Sequence, residues 1–162
     1  MTKKYLSFIA LILALSLLCA CGSTAANVRD DVAVSDISAA VAAVLGDDAL
    51  VSVPETYYAG SMKMDVSQFD GYDVMINSKG INIDEFGIFK AKDSSQLPAV
   101  EKAVNDYLAF RLQIWMDEYM PEEKPKLENA EVKTVGNYVM YAILSDDGKK
   151  SAFGAFEKSL KA

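Results

Sequence analysis

The chain lacks histidine altogether, and it carries only two cysteines, four prolines and 16 basic residues among its 162. Without histidine there is no Ser-His-Asp or Cys-His nucleophile set, no imidazole general base and no imidazole metal ligand. The 16 basic residues face 23 acidic ones, a net charge of −7. Binding to phosphate backbones needs clustered Lys and Arg, so this balance argues against nucleic acid as a partner. The cysteines, Cys19 and Cys21, stand in a Cys-x-Cys arrangement that has neither redox nor zinc spacing. No phosphate-cradling G-x-x-x-x-G-K-[ST], dinucleotide G-x-G-x-x-G, G-x-S-x-G elbow or S-x-x-K occurs, so no cofactor is expected.

Long apolar runs are also scarce. The one present is Leu6–Leu18, preceded by Lys3 and Lys4. Thirteen helical residues span about 20 Å, short of the ~30 Å hydrocarbon core, which disfavours a permanent transmembrane helix. A charged start before a 7–15-residue apolar run is the pattern of a secretory signal. Ordinary cleavage wants small residues one and three positions before the cut, yet Leu18 holds the third place. Leu18-Cys19-Ala20-Cys21 resembles the lipobox of bacterial lipoproteins; an ordinary signal or an uncleaved anchor are the other readings. The resemblance implies cleavage between Ala20 and Cys21 and a diacylglyceryl group on Cys21, placing the protein on the extracytoplasmic face of the cell membrane. Loss of Lys3 and Lys4 with the leader would move the side-chain charge from −7 to −9 and leave no free thiol. The expected organisation is a signal peptide over 1–20, a lipidated tether over 21–34 and one domain over 35–162.

The domain is of a size that buries a substantial core without staples. Its first expected element is a helix capped by Ser35, with Ile37, Val41, Val44 and Leu45 on one face and Gly46 closing it. Residues 47–71 support either a short strand or an irregular cover. Alternation over 72–77, with Tyr72, Val74 and Ile76 on one side, predicts a half-buried strand, and Ser78-Lys79-Gly80 a turn. A second strand is expected over 83–91, Phe86 and Ile88 opposing Glu85 and Phe89. After a cap at Asp93 or Ser95, Leu97, Val100, Val104, Tyr107, Leu108, Leu112, Trp115 and Tyr119 recur at helical steps. They predict a helix of about 23 residues, ~35 Å long, stopped at Pro121. Residues 122–125 read as a charged loop. Strands over 131–135 and 138–144 flank a Gly136-Asn137 hairpin signal, and a last helix carries Phe153, Phe156 and Leu160. The expected fold is α+β: a four-stranded, mostly antiparallel sheet (strand-strand-helix-strand-strand-helix) with the long helix on one face and an N-terminal helix.

The segments Asp84-Glu85-Phe86-Gly87-Ile88-Phe89-Lys90-Ala91-Lys92-Asp93, Tyr119-Met120-Pro121-Glu122 and Gly136-Asn137-Tyr138-Val139, with a long helix between, resemble the bacterial family of domain of unknown function 4358. The similarity runs from about residue 35 to 160. It implies a small, secreted, lipid-anchored domain and supplies no activity or catalytic residue. Glu85 and Arg111 match positions of the family, whereas Phe86-Gly87 stands where small or aliphatic residues are more usual.

Acidic pairs, including Asp84-Glu85, Asp117-Glu118 and Asp146-Asp147, are the abundant reactive groups. Two carboxylates can share acid and base roles across a cleft, but spacing along the chain does not set that distance. Most of these pairs flank turns and read as solvated. The nearest approach to a calcium loop, Asp65 to Asp73, has Phe69 where an oxygen ligand belongs. No catalytic, cofactor or metal residue is therefore expected. One constellation remains: Arg111, Trp115, Glu118 and Tyr119 on one side of the long helix, an interaction surface of the kind Trp and Arg anchor. The plainer alternative ends the core stripe with Trp115 and Tyr119 and pairs Arg111 with a carboxylate such as Glu85. The functional expectation is a non-catalytic module binding an envelope protein, a peptide or a small solute; a carboxylate-dependent envelope hydrolase is the alternative.

Overall fold

A computed structural model describes residues 28–162; the expected signal peptide and the Ala20–Cys21 lipidation site lie outside the described residues. Five strands form one antiparallel sheet in the order β1-β2-β3-β5-β4, with β1 Leu50–Ser52, β2 Phe69–Asn77, β3 Glu85–Ala91, β4 Glu131–Val135 and β5 Tyr138–Ile143. Besides short helical turns over Glu55–Tyr57, Tyr58–Met62 and Val66–Gln68, the helices are α1 Val34–Leu45, α2 Leu97–Gln113, α3 Lys124–Glu128 and α4 Asp146–Ser159. The α+β class stands, and the strand count is corrected from four to five. The extra strand, β1, comes from the segment left open, pairing Leu50 with Asn77 and Ser52 with Met75. Three residues at a sheet edge carry too little alternation to be read as a strand.

Both faces of the sheet are buried. On one, Val74, Phe89, Val139 and Tyr141 pack against Val100, Val104 and Tyr107 of α2. On the other, Phe86, Ile88, Met140 and Ala142 pack against Ile37 and Val41 of α1 and Phe153 and Phe156 of α4. All six residues of β5 are buried, because alternate side chains enter different cores rather than core and water.

Local chemistry explains several boundaries. Gly136 takes φ 57° at the first corner of the β4–β5 turn, where glycine suits a two-residue hairpin. The Ser145 hydroxyl accepts from the Gly148 N–H and caps α4, with Asp146 and Asp147 favourably placed in its first turn. Gly46 ends α1 in the left-handed region, as expected.

Other expectations are corrected. Ala33 rather than Ser35 occupies the cap of α1, and Val44 is exposed because the buried stripe runs Val34, Ile37, Ser38, Val41. Gln96 precedes α2, while Asp93 accepts the Ser95 N–H in the turn before it. The charged loop at 122–125 runs into α3, which buries Leu127.

The largest correction concerns α2, which has 17 residues rather than about 23. At its end Ile114 and Trp115 donate back to the Phe110 and Leu112 carbonyls, and Met120 turns left-handed at φ 48°. The residue before a proline avoids the right-handed helical region, so Pro121 acts on Met120; the chain has left the helix six residues earlier to return toward α3.

The chain N-terminal to α1 is seated from Val28 onward. Val28 bridges Lys161, Arg29 N–H bonds the Leu160 carbonyl, and the Tyr138 hydroxyl donates to the Val32 carbonyl. Val28 also lies on Gly136, where a Cβ would stand 2.7 Å from its Cγ1.

Candidate functional site

Glu85 opens β3 with its side chain on the α2 side of the sheet, and it is 2% exposed. A carboxylate so placed is costly unless every acceptor position finds a donor. Three donors converge on it. The hydroxyls of Tyr107 and Tyr141 each donate to Oε1 at 2.6 Å, and Arg111 Nη1 donates to Oε2 in an ion pair. Arg111 Nη1 also donates to the Tyr107 hydroxyl at 2.8 Å, so the four side chains form a closed network.

Each member arrives by a simple local rule. Tyr107 and Arg111 are one turn apart on α2 and share a face. Tyr141 sits opposite Gly87 in the β3–β5 ladder. A Cβ on Gly87 would stand 2.3 Å from Tyr141 Cε1 and 2.8 Å from Val74 Cγ2. The missing side chain at Gly87 is what lets the Tyr141 ring lie across β3 and reach Glu85. The Phe86-Gly87 pair therefore divides its work, Phe86 filling the α1–α4 core and Gly87 making room on the other face.

Electrostatics agree with the geometry. Burial, together with the Glu85 charge, raises the Tyr107 and Tyr141 hydroxyls well above the ordinary tyrosine range and keeps them protonated as donors. Burial works against the Arg111 charge, but Glu85 and Tyr107 outweigh it and raise its pKa further. Of the expected acidic pair, Glu85 is enclosed and Asp84 is taken by Lys126 at 2.8 Å. Lys126 also holds Glu123, whose carboxylate accepts the Ile83 N–H.

Arg111 is the boundary between this network and a cleft of about 500 Å³. The cleft wall is apolar at Ile76, Ile83, Phe110 and Ile114, and polar at Tyr57, Lys63, Asn82 and Tyr119. Two of its lining side chains, Ile114 and Tyr119, are large, apolar or aromatic, and 54% exposed.

Of the residues of the expected interaction surface, Glu85, Arg111 and Tyr119 line the cleft. Glu85 and Arg111 come together as the plainer reading had it. Tyr119 joins them at the cleft rim through the turns after α2, not along a helix face. Trp115 packs against the α2-side core with its ring 6.5 Å from that of Tyr119, and its indole N–H has no acceptor among the described residues. Glu118 is exposed and does not line the cleft. Sequence reasoning missed Tyr107 and Tyr141 as polar groups, since both sit in apolar patterns that hide their hydroxyls. The Asp65 to Asp73 segment forms a turn, Asp65 accepting from the Ser67 N–H, and then enters β2. Among the described residues no group of three or more Cys, Asp or Glu is gathered as a metal would require.

The family model described as domain of unknown function (DUF4358) matches residues 60–144, from the cleft wall before β2 to the end of β5. No curated protein and no solved structure matches the chain.

Proposed function

From the premise that the chain belongs to the family described as domain of unknown function (DUF4358), we propose that it is a lipid-anchored extracytoplasmic binding module whose site is the cleft beside Arg111. The observation that carries this reading is a concave, mixed-polarity cleft whose lining leaves Ile114 and Tyr119 exposed. Isolated exposed apolar residues need no explanation, but those that line a cleft mark an interaction surface. The site is non-catalytic in this reading because Glu85, the carboxylate nearest the cleft floor, spends its acceptor positions on three donors.

Anchoring rests on the Leu18-Cys19-Ala20-Cys21 sequence. The chain joins the domain at Val28, beside the β4–β5 hairpin. The cleft lies at the opposite, Glu85 end of β3, six strand rises or about 20 Å away. A lipid on Cys21 would hold the hairpin end toward the bilayer and present the cleft outward.

A photo-crosslinking residue at Ile114, compared with one at exposed Lys150 on α4, tests the reading in intact cells. Adducts from 114 and none from 150 are expected. Equal adducts, or adducts from 150 alone, would move the binding surface elsewhere.

A further inference from the structure

Resting on the cleft as the binding site, we infer that its ligand is a carboxylate joined to an apolar side group, held between the outer edge of Arg111, Lys63 and the Phe110–Ile114 wall. Many polar atoms of the cleft are already engaged. Every cleft carboxylate is: Glu85 by two tyrosines and Arg111, Asp84 by Lys126. The Asn82 Oδ1 accepts from the Asp84 N–H, and the Asn77 amide is divided between Asp47 and the Lys79 N–H.

The atoms left over are donors. Arg111 uses only Nη1 for Glu85 and Tyr107; among the described residues nothing accepts from its Nε or Nη2. Its side chain is 19% exposed, and the residue lines the cleft. Lys63 has neither an ion pair nor a hydrogen bond among the described residues, although the chain carries an acidic excess. The Asn82 amide N–H2 also lines the cleft and makes no hydrogen bond among the described residues.

A guanidinium whose Nε and Nη2 are both free presents two parallel N–H groups, the fork that matches a carboxylate side-on. The Glu85 network pre-sets its orientation, so little rotamer entropy is lost on binding. Lys63 stands at φ 58° immediately after the helical turn over Tyr58–Met62 and lines the same cleft. Ile76, Ile83, Phe110 and Ile114 supply an apolar part of the same lining, which suits a ligand with an apolar group next to the anion, as an acylated amino acid or a peptide C-terminus has.

The test uses the full chain in phosphatidylcholine vesicles, read by fluorescence of Trp115, the sole tryptophan, behind the cleft rim. Probes are N-acetyl-leucine, N-acetyl-leucine amide, a tetrapeptide ending in leucine, and inorganic phosphate. The acid should bind and the amide should bind about tenfold or more weaker, the loss of one charge-assisted pair. Lys63→Asn, which suits the left-handed backbone and removes no contact among the described residues, should weaken the acid and leave the amide unchanged. Arg111→Lys should weaken the acid further. Tighter binding of the tetrapeptide than of N-acetyl-leucine assigns the carboxylate to a chain end; equal binding assigns it to a free solute.

Equal affinity for acid and amide overturns the inference, as does phosphate displacing the acid at equal concentration or an unchanged Trp115 signal with every probe. Those results leave the in-cell adducts from 114 standing. Loss of those adducts would instead remove the cleft itself.

Discussion

At the residue scale the molecule is organised around one buried carboxylate. Glu85 joins strand β3 to helix α2 through Tyr107 and Arg111, and to its neighbour strand through Tyr141. Glu85→Ala would strand a guanidinium and two hydroxyls at once. Breaking a buried pair by removing one partner costs about 3–5 kcal/mol, so a loss of that order is expected in urea denaturation.

The tyrosines set the alkaline behaviour. Tyr107 and Tyr141 have folded-state pKa values raised above the ordinary value of 10, and Tyr58 is pushed up to about 12, burial being the largest cause for each. Groups whose folded pKa is raised contribute stability that is present below pH 10 and is lost as pH rises above it. The unfolded chain then releases protons that the folded chain retains. Stability should therefore fall from pH 10 upward, with tyrosinate absorbance appearing in step with unfolding. Full tyrosinate absorbance in a still-folded chain would contradict this burial. A second enclosed charge, Lys149, is satisfied differently: its ammonium meets the Asn129 carbonyl, Glu131 and Asp146 at 2.8, 2.9 and 3.0 Å.

At the element scale, periodicity was a good guide wherever an element carries its own signal. Strands β2 and β3, the β4–β5 hairpin and α4 were legible because alternation, glycine turns or helical spacing of apolar residues lie within each segment. The Ser145 cap is testable: Ser145→Ala should lower stability by about 1 kcal/mol with little change in the denaturant slope. The end of α2 was not legible. Leu112, Trp115 and Tyr119 continue the helical spacing, yet the helix stops at Gln113 because the chain must turn back to form α3 and the edge strand β4. That turn carries Tyr119 to the cleft rim and leaves Glu118 outside it. Strand β1 was hidden for a related reason, since three residues gain strand character only from the partner they pair with.

At the scale of the whole molecule, the two ends of the sheet differ. One end has the seated N-terminal segment against the Gly136 hairpin, and the other has the cleft. In the anchored reading this polarity becomes an orientation on the membrane. Cys21→Ala should leave an unprocessed chain that takes up no labelled fatty acid. Labelling that persists in the variant would remove the lipid anchor, and with it the outward presentation of the cleft.

The amino-acid sequence by itself determined the class of fold and most of its elements, because strand and helix periodicity are local properties of a dozen residues or fewer. It also excluded imidazole chemistry through the absence of histidine. It brought Glu85 and Arg111 forward as residues to watch, though not for their geometry. The tertiary structure alone decided that Tyr107 and Tyr141 complete the Glu85 network, that Gly87 makes the space Tyr141 needs, and that Arg111 lines a cleft. Those contacts span 22 to 56 residues of chain. At such separations no spacing rule applies, and side chains meet only because the sheet register and the helix that crosses it place them together.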